Sequence, residues 1–382
     1  MSTWHNRQKK KMRRILYISN YKQGVGGISA QIDLLCQSIE AEIKSEGVKT
    51  LKNESYLTSI YSTKGNPIKR VWLFVKLMFA ARKYDVLHVH GCSGWGMVPV
   101  VYGVIAGKIW RKKIIVTYHG GGADNYFEKH GKFARRWLMR ADEVIVLSGF
   151  LKKVFDKYQI SCLEIPNIVI LREDIYQPKR SIAPKFISVR HLTELYQIDL
   201  IIKAFEQVQK HYPEATLDIL GQGECRAGLE QYVKLREKRE EIREGSVRFI
   251  GQVPNEKIYD YLRANDVMLS APKIDNMPVS LLEAMNAGVL VITSNVGGVP
   301  YMINHKENGL LWGSEELRVN SEETSEIEDR RLKIEDWDGL AEQIMWALEH
   351  QEECLQIIAK AKIEVQKYSW HNIRKQLLPL YE

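Results

Sequence analysis

Short apolar runs alternate with segments of helical length along most of this 382-residue chain, and this alternation limits the fold more than any other feature. In the first half, the runs are Ile15 to Ser19, Val86 to His90, Ile114 to Tyr118 and Val144 to Leu147. Strands that alternate with helices form parallel sheets built from βαβ units. The sequence therefore predicts an α/β protein.

The same alternation starts again at Lys185, after a polar stretch that we interpret as an interdomain linker, residues 171–184. Strands are predicted at 186–189, 216–220, 247–250, 267–269 and 289–293, and helices at 198–210, 255–264 and 279–286. This order of elements predicts two doubly wound sheets in tandem. We expect one Rossmann-like domain over 1–170, with a closing helix at 368–382 that packs back on it, and a second over 185–367.

Composition excludes several classes of protein. The chain is 45% hydrophobic and 27% charged, which is typical of globular proteins. No run of about 20 apolar residues predicts a membrane-spanning helix, and no apolar segment of a secretory signal follows the N-terminal Lys/Arg cluster. The five cysteines are scattered without a Cys-x-x-Cys pair, so we expect a reducing cytoplasm and neither a zinc site nor a disulfide framework.

Positive charge is concentrated in the first half. Residues 1–180 hold 31 Lys and Arg against 14 Asp and Glu, a balance of +17, which leaves 24 against 33, or −9, for residues 181–382. This asymmetry indicates contact with an anionic surface, either acidic lipid or nucleic acid. The basic, partly apolar stretch 69–83 fits a membrane interface or a core helix with basic ends, and the sequence leaves both open.

The window Ile274 to Gly288 carries two carboxylates eight positions apart, Asp275 and Glu283, where a polar loop becomes a helix. With Pro278 opening the helix, the free amides of 277–280 would form an anion site between carboxylates that bind sugar or ribose hydroxyls. A structural interpretation competes with this one. Ser280 and Glu283 match a Ser-x-x-Glu capping box, which is the favoured interpretation of the window alone.

The order of several motifs resembles that of glycosyltransferase family 4, the retaining nucleotide-sugar transferases of the GT-B fold. The opening window is similar to the family's Glu-x7-Glu element, with Asp275 in the first position. Further matches are Gly26-Gly27, His90-Gly91, Thr117-Tyr118-His119-Gly120, Pro166-Asn167, Gly221-Gln222-Gly223-Glu224 and Gly297-Gly298-Val299-Pro300. The resemblance covers nearly the whole chain and implies two Rossmann-like domains facing across a cleft.

The resemblance also implies roles for individual residues. Gly26 and Gly27 would let the backbone approach a diphosphate or acceptor, and His119 would contact the transferred sugar. Glu283 would hold the ribose. The sugar and phosphates would be held by Asp275 and the segment that follows it, Asn276, Met277, Pro278 and Val279.

One departure from the family concerns the cations that neutralise the departing diphosphate. The family has Gly-Arg-Leu and then a lysine four residues beyond the leucine, but this chain has Arg190-His191-Leu192 and then Tyr196. Arg190 is the best substitute for the arginine, His191 is a partial second donor, and Lys273 is a third candidate. A second departure is Asn167-Ile168, where the family tends to have Asn-Gly.

Metal binding has little support in the sequence. His88 and His90 lie on one face of a strand without an evident third ligand. Asp336-Trp337-Asp338 resembles a metal-binding Asp-x-Asp, but its position favours a helix N-cap. We therefore expect no metal and no cofactor, with the nucleotide-diphosphate sugar as a substrate.

The function expected from these features is a metal-independent retaining transfer of a sugar from a UDP- or GDP-linked donor to an acceptor hydroxyl. By resemblance, a donor phosphate oxygen takes the acceptor proton while domain closure excludes water. The acceptor is a glycan or lipid-linked intermediate of polysaccharide or lipopolysaccharide synthesis, at the anionic inner face of the cell membrane. An alternative is a non-catalytic GT-B subunit that supports a partner transferase. A nucleic-acid binder is the weakest hypothesis, since no nucleic-acid module accompanies the charge.

Overall fold

The computed structural model of the protein describes residues 13–21, 26–45, 56–64, 66–174, 176, 178–313 and 337–382. The described chain forms two compact units. The first contains the residues up to Ile168 together with Trp370–Glu382, and the second contains Val169–Ser369. The acidic segment 314–335 and the first residue of the Asp-x-Asp motif, Asp336, lie outside the described residues.

The first unit is built from alternating strands and helices. Its elements are β1 (Arg13–Ser19), α1 (Gly27–Ser45), β2 (Tyr56–Ser62), α2 (Pro67–Ala81), β3 (Val86–Gly91), α3 (Met97–Ile109), β4 (Lys113–Tyr118), α4 (Ala123–Leu138), β5 (Glu143–Val146), α5 (Gly149–Lys157), β6 (Leu163–Glu164) and α12 (Trp370–Leu377). The strands form one parallel sheet in the order β2-β1-β3-β4-β5-β6.

The two faces of this sheet pack against separate clusters of apolar side chains. On one face, the buried side chains of α2, α3 and α5 cover the strands; Leu77, Val104 and Leu151 are fully or almost fully buried. On the other face, α1 and the C-terminal helix α12 pack together on β1, with Tyr17 and Tyr381 both fully buried. The closing helix therefore belongs to the core of the first unit.

The second unit repeats the architecture. Its elements are β7 (Lys185–Val189), α6 (Ile198–His211), β8 (Thr216–Leu220), α7 (Arg226–Lys238), β9 (Val247–Gly251), α8 (Asn255–Ala264), β10 (Val267–Ser270), α9 (Val279–Ala287), β11 (Leu290–Ser294), β12 (Leu310–Trp312), α10 (Trp337–Glu349) and α11 (Gln351–Glu364). All pairings are parallel, in the order β12-β11-β10-β7-β8-β9. The predicted α/β class with two doubly wound sheets is confirmed.

Two strands and the linker differ from the expectation. β2 lies at the sheet edge and mixes polar with apolar residues, and β12 has only three residues, so neither was predicted. The described residues of 171–184 pack onto the second unit: Ile182 is buried in its core, and Lys179 pairs with Asp266 beside the amide of Ala183. That segment is part of the second unit's surface and core, because it carries its own apolar anchor.

Helix α3 accounts for the most apolar stretch of the sequence, and much of it is buried in the first unit. In the part of the chain that the structure describes, no helix has the length and apolar character needed to cross a bilayer.

Candidate functional site

In the second sheet, β7 lies between β10 and β8, so the chain leaves this central strand toward one edge and later returns to the other side. Ligands of doubly wound sheets bind at such a crossover, beyond the carboxyl ends of the two strands. Here those ends lead into Arg190 after β7 and into Lys273 and Asp275 after β10. The backbone amide of Lys273 donates to the carbonyl of Leu195 at 2.8 Å, so the two loops contact each other.

Arg190 is fixed in this crossover by three neighbours. Its Nε and Nη2 donate to Oγ of Ser270, each at 3.2 Å, and its Nη1 lies 3.0 Å from Oδ2 of Asp275. The guanidinium carbon lies 5.3 Å above the ring centroid of Tyr196, the residue in the family's lysine position. The side chain is only 9% exposed. Arg190 and Asp275 therefore form a largely buried ion pair, although Nη1 and Oδ2 are not aligned as a hydrogen bond.

The loop that carries Asp275 is held by two glycines. The amide of Gly298 donates to the Asp275 carbonyl at 2.9 Å, and Oδ1 of Asp275 accepts from the amide of Asn276 at 2.8 Å. A Cβ atom on Gly297 would lie 2.1 Å from the Asp275 carbonyl oxygen, and one on Gly298 would lie 2.0 Å from that of Asn276. Both glycines are thus required for this close backbone packing.

Helix α9 starts at Val279, so Pro278 precedes the helix and does not lie in its first turn. Pro278 is its N-cap, with extended φ and ψ of −70° and 115°, and it makes no side-chain cap. Ser280 therefore lies inside the helix, and its buried Oγ has no hydrogen-bond partner among the described residues. The predicted Ser280–Glu283 capping box is wrong, because its serine does not occupy the N-cap.

The first turn of α9 has unused donors. Within the described residues, the backbone amides of Val279 and Ser280 have no backbone or side-chain acceptor. Asn276, Met277 and Pro278, just before the helix, are buried. The N-terminal end of this helix therefore offers free amide donors of the kind that bind anions.

Glu283 lies one turn further along α9 and is partly buried. Burial raises the pKa of this carboxyl from 4.5 to about 7, although the nearby positive charge of Arg190 acts in the opposite direction. No hydrogen bond or ion pair engages Glu283 within the described chain. A carboxyl group that is desolvated but otherwise unpaired matches a site where a ligand's hydroxyl groups supply the missing hydrogen bonds.

The other two predicted cations lie at the exposed rim. His191 is exposed, and its Nδ1 lies 3.3 Å from the Gln222 carbonyl; Lys273 is exposed as well. The glycine-rich turn after β8 packs directly beneath: a Cβ on Gly221 would lie 1.8 Å from the Arg190 carbonyl, and one on Gly223 would lie 2.1 Å from that of Leu192. The Gly-Gln-Gly motif therefore shapes the loop that carries Arg190 and His191.

In the first unit, His119 follows β4 and contacts another histidine. Its Nε2 lies 2.8 Å from Nδ1 of His90, and the two rings stack with centroids 5.1 Å apart. His88 is hydrogen-bonded on both sides, to the hydroxyl of Tyr381 and to that of Thr117, each at 2.8 Å. The His88/His90 pair thus belongs to a hydrogen-bonded network, and no three-residue metal-binding group occurs in the described chain.

Burial keeps these three histidines neutral. It lowers the pKa of both His88 and His119 to about 3 and that of His90 well below 6.5, with the neighbouring histidines adding to the effect on His88 and His90. They line a pocket whose wall also includes Gln31 and Asn167. His119 therefore offers a neutral imidazole, able to donate or accept one hydrogen bond.

Gly26 and Gly27 lie at the start of α1, at the end of the first unit that also carries His119. Gly26 has a φ of +86°, and a Cβ on either Gly26 or Gly27 would meet no atom of the described residues within 4 Å. The positive φ explains the glycine at position 26.

Two residues of the site were missed in the sequence. Ser270, which fixes Arg190, ends an otherwise apolar strand, and a polar residue at the carboxyl end of a central strand was the available signal. His90 was considered as part of a family motif and as a possible metal ligand, without a role beside His119. Its spacing of two from His88 showed that both lie on one face, but not that this face meets His119.

Two family models match the chain in succession. The model described as Glycosyltransferase Family 4 matches residues 30–172, and that described as Glycosyl transferases group 1 matches residues 173–333. The chain belongs to glycosyltransferase family 4. The two matches together cover residues 30–333, which contain most of the motifs on which the resemblance rests.

Individual relatives of this family 4 chain are distant. The phosphatidyl-myo-inositol mannosyltransferase of Mycolicibacterium smegmatis is 22% identical over 330 residues, which cover 81% of this chain and 73% of that protein. The amylovoran biosynthesis glycosyltransferase AmsK of Erwinia amylovora is 29% identical over 147 residues, 37% of this chain and 34% of that protein. Matches to the first curated relatives span 32% to 47% of those proteins.

Solved structures establish the fold. Anabaena Alr3699/HepE in complex with UDP-glucose matches with a TM-score of 0.69 at 16% identity, covering 96% of this chain and 98% of that chain. The family 4 chain thus has the GT-B type of architecture, with one doubly wound sheet in each unit.

Proposed function

We propose that this protein is a retaining glycosyltransferase that takes a sugar from a UDP- or GDP-linked donor and adds it to an acceptor hydroxyl. The observation that carries the proposal is the meeting of Arg190, Asp275 and the free end of α9 at the crossover of the second sheet. The Anabaena relative of the same fold was solved with UDP-glucose, which supports a nucleotide sugar as the donor.

In this proposal, the second unit binds the nucleotide. Glu283 accepts hydrogen bonds from the ribose hydroxyls, and the amides at the start of α9 bind the diphosphate. Asp275 binds hydroxyls of the transferred sugar, beside Asn276 and Met277. Pro278 and Val279 position the helix end.

The first unit supplies the remaining contacts. His119 forms a hydrogen bond with the transferred sugar, and the backbone at Gly26 and Gly27 approaches the diphosphate or the acceptor. As a neutral imidazole, His119 donates or accepts a hydrogen bond without adding a charge. Such a group suits a sugar hydroxyl better than a phosphate.

The reaction replaces one bond to the anomeric carbon by another on the same face of the sugar. The bond from this carbon to the phosphate oxygen breaks, and the nucleoside diphosphate leaves with the bonding electrons. The acceptor oxygen bonds to the carbon, and its proton passes to the departing phosphate oxygen. In this scheme neither Asp275 nor Glu283 forms a covalent intermediate with the sugar.

Charge on the leaving diphosphate has to be neutralised, and the pairing of Arg190 bears on how this is done. The negative charge of Asp275 already compensates the positive charge of Arg190. The guanidinium therefore stabilises the diphosphate only to the extent that it moves away from the Asp275 carboxylate. In our proposal, Lys273 at the rim supplies additional positive charge and His191 supplies a further hydrogen-bond donor, in place of the family's lysine and without a metal ion.

We further propose that the acceptor is a glycan or lipid-linked intermediate at the inner face of the cell membrane. The names of two relatives, a phosphatidyl-myo-inositol mannosyltransferase and an amylovoran biosynthesis glycosyltransferase, support a lipid-linked or polysaccharide product. The excess of positive charge in residues 1–180 supports an anionic surface as the location.

Incubation of the purified protein with labelled UDP- and GDP-sugars and a lipid extract of its host tests the proposal. We expect one donor to give a labelled product, with unchanged yield in EDTA, and the Glu283→Gln variant to give none. Binding of the nucleotide without turnover of any donor would instead favour the non-catalytic subunit, the alternative that the altered Arg/Lys positions suggest.

A further inference from the structure

Helix α2 exposes a continuous apolar stripe. Ile68, Val71, Trp72, Val75 and Phe79 follow the helical spacing i, i+3, i+4, i+7 and i+11, and they are 49% to 84% exposed. These positions fall within about 100° of the helix circumference, given 3.6 residues per turn. Ordinary surface helices place such a stripe against the core, so the position of this one on the outside calls for another partner.

The inward side of α2 is apolar as well, which shows that the outward stripe is not needed to attach the helix. Leu77 and Ala81 are fully buried in the core of the first unit, and Phe74 packs against the ring of Tyr102 at 4.7 Å. The indole Nε1 of Trp110 donates to the Met78 carbonyl at 2.7 Å. Helix α2 is therefore anchored on one side and apolar on both. The alternative of a core helix with basic ends describes its inward side and leaves the exposed stripe unexplained.

Basic side chains accompany the stripe. The segment 66–84 contains five Lys or Arg residues and no Asp or Glu; four of the five are exposed: Lys69, Lys76, Arg82 and Lys83. The fifth, Arg70, lies over the ring of Trp95, which is itself 70% exposed. At the far end, Ile109 is 58% exposed and lies beside Lys108 and Arg111. Apolar and basic groups are thus interleaved along one face of the unit.

This combination distinguishes a bilayer from a protein partner. Lysine side chains can place their methylenes along acyl chains and their ammonium groups at phosphate level, and tryptophan favours the same interface. A stripe without any acidic residue complements an anionic surface over its whole length. We propose that α2 is the membrane-docking element of this protein, lying in the plane of an acidic lipid surface with Trp72 and Phe79 inserted among the acyl chains.

The inference deepens the proposed function, because it names the surface that brings the enzyme to a lipid-linked acceptor. Its test does not require transfer. Sedimentation with vesicles of phosphatidylcholine mixed with phosphatidylglycerol should show binding that weakens with salt, and vesicles of phosphatidylcholine alone should bind at least about tenfold less.

Two variants locate the contact. The triple variant Val71→Ser, Val75→Ser, Phe79→Ser should bind the acidic vesicles at least about tenfold more weakly. The matched control is Leu235→Ser with Ile363→Ser, which removes exposed apolar side chains of the second unit and should leave binding unchanged. Both variants should retain the wild-type stabilisation by UDP in thermal unfolding, which shows that the fold and the nucleotide site are intact.

The depth of Trp72 in the bilayer is measured by the quenching of tryptophan fluorescence by brominated lipids. This quenching should be weaker in the Trp72→Phe variant. Three results would overturn the inference: no binding of wild-type protein to acidic vesicles, unchanged binding of the triple variant, or a wild-type dimer that the triple variant converts to monomers. The last result would assign the stripe to a second copy of the chain. Failure of sugar transfer alone would affect the proposed function and leave this inference standing.

Discussion

The guanidinium of Arg190 lies 3.0 Å from the carboxylate of Asp275, although 84 residues separate the two in the chain. They meet because β7 and β10 are neighbours in the sheet and both strands end at the same edge. The pair is largely buried, so each charge is compensated mainly by the other.

Replacing Asp275 by Asn should separate nucleotide binding from transfer. The variant removes the negative charge that competes with a diphosphate for Arg190, so we expect UDP to bind as tightly as in the wild type or more tightly. Turnover of the nucleotide sugar should fall by about 10²-fold or more, because an interaction with the transferred sugar is lost. Calorimetry measures the affinity for UDP, and initial rates measure the turnover of the nucleotide sugar. A variant that loses UDP affinity would show that Asp275 supports the nucleotide itself.

Replacing Arg190 by Lys should lower kcat by about 10²-fold, because a lysine does not reproduce the planar contacts to Ser270 and Asp275. The matched control is Arg248→Lys. Arg248 also donates two hydrogen bonds to an aspartate, Asp218 on β8. It should keep the wild-type kcat. If Arg190→Lys kept the wild-type kcat, a positive charge would be the only requirement at this position, and the prediction would be contradicted.

The raised pKa of Glu283, about 7, predicts a stability that falls with rising pH. The folded chain binds the proton more tightly than the unfolded chain, whose pKa is near 4.5. Ionisation of the buried Glu283 lowers the free energy of unfolding. This loss is absent below pH 4.5 and complete above pH 7, where it reaches about 3 kcal/mol as an upper limit.

Urea unfolding of Glu283→Gln checks this prediction. At pH 8 the variant should be more stable than the wild type, with the difference vanishing near pH 4.5. The surface variant Glu230→Gln, on α7, serves as the control. A Glu283→Gln protein that is less stable at pH 8 would mean that the carboxylate already has a stabilising partner. For the proposed ribose contact, the KM of the donor should fall as pH rises through 7.

The neutral state of His119 predicts the opposite trend in the first unit. Its pKa, about 3, lies below the value of 6.5 in the unfolded chain, so the unfolded chain binds more protons at acid pH. Stability should be lost as pH falls below 6.5, by about 2 kcal/mol from this residue at pH 5. In His119→Gln, hydrogen exchange of the β4 amides should accelerate less between pH 7 and pH 5, after correction for intrinsic rates. Equal acceleration would contradict a buried neutral ring.

Substitution of Gly297 by Ala should disturb the Asp275 loop. The residue has a φ of +55°, and an added Cβ would lie 2.1 Å from the Asp275 carbonyl oxygen, so the loop must move. We expect a loss of about 2 kcal/mol or more in stability. Gly228→Ala, inside α7 with no neighbour within 4 Å of the new atom, should instead stabilise by about 0.5–1 kcal/mol. Thermal unfolding of both variants checks the contrast.

Strands were predictable where the sheet buries them on both faces. β10 is buried at every position and occurs in the sequence as an apolar run, and β3, also buried throughout, is apolar apart from His88 and His90. β2 escaped prediction because an edge strand has a less protected face and mixes residue types, and β12 is too short to show a period. Strand order is a further step that local sequence does not contain, which is why the contact between Arg190 and Asp275 was not predicted.

The helix start at the site shows how one residue changes an interpretation. Pro278 was expected inside the first turn of α9, but it is the N-cap, and Ser280 therefore lies too far along to cap. The orientation of α2 was equally undetermined. Both of its faces are apolar enough to pack, and only the position of α3 decides that Leu77 points inward and Trp72 outward.

The most direct test of the account is a transfer assay with a single donor series. Each labelled UDP- or GDP-sugar is incubated with acceptor lipid and either wild-type protein or Glu283→Gln, and the anomeric configuration of the purified product is determined by NMR. We expect one productive donor, a product with the donor's anomeric configuration, and no product from the variant. A product of inverted configuration, or an unchanged rate in Glu283→Gln, would contradict it.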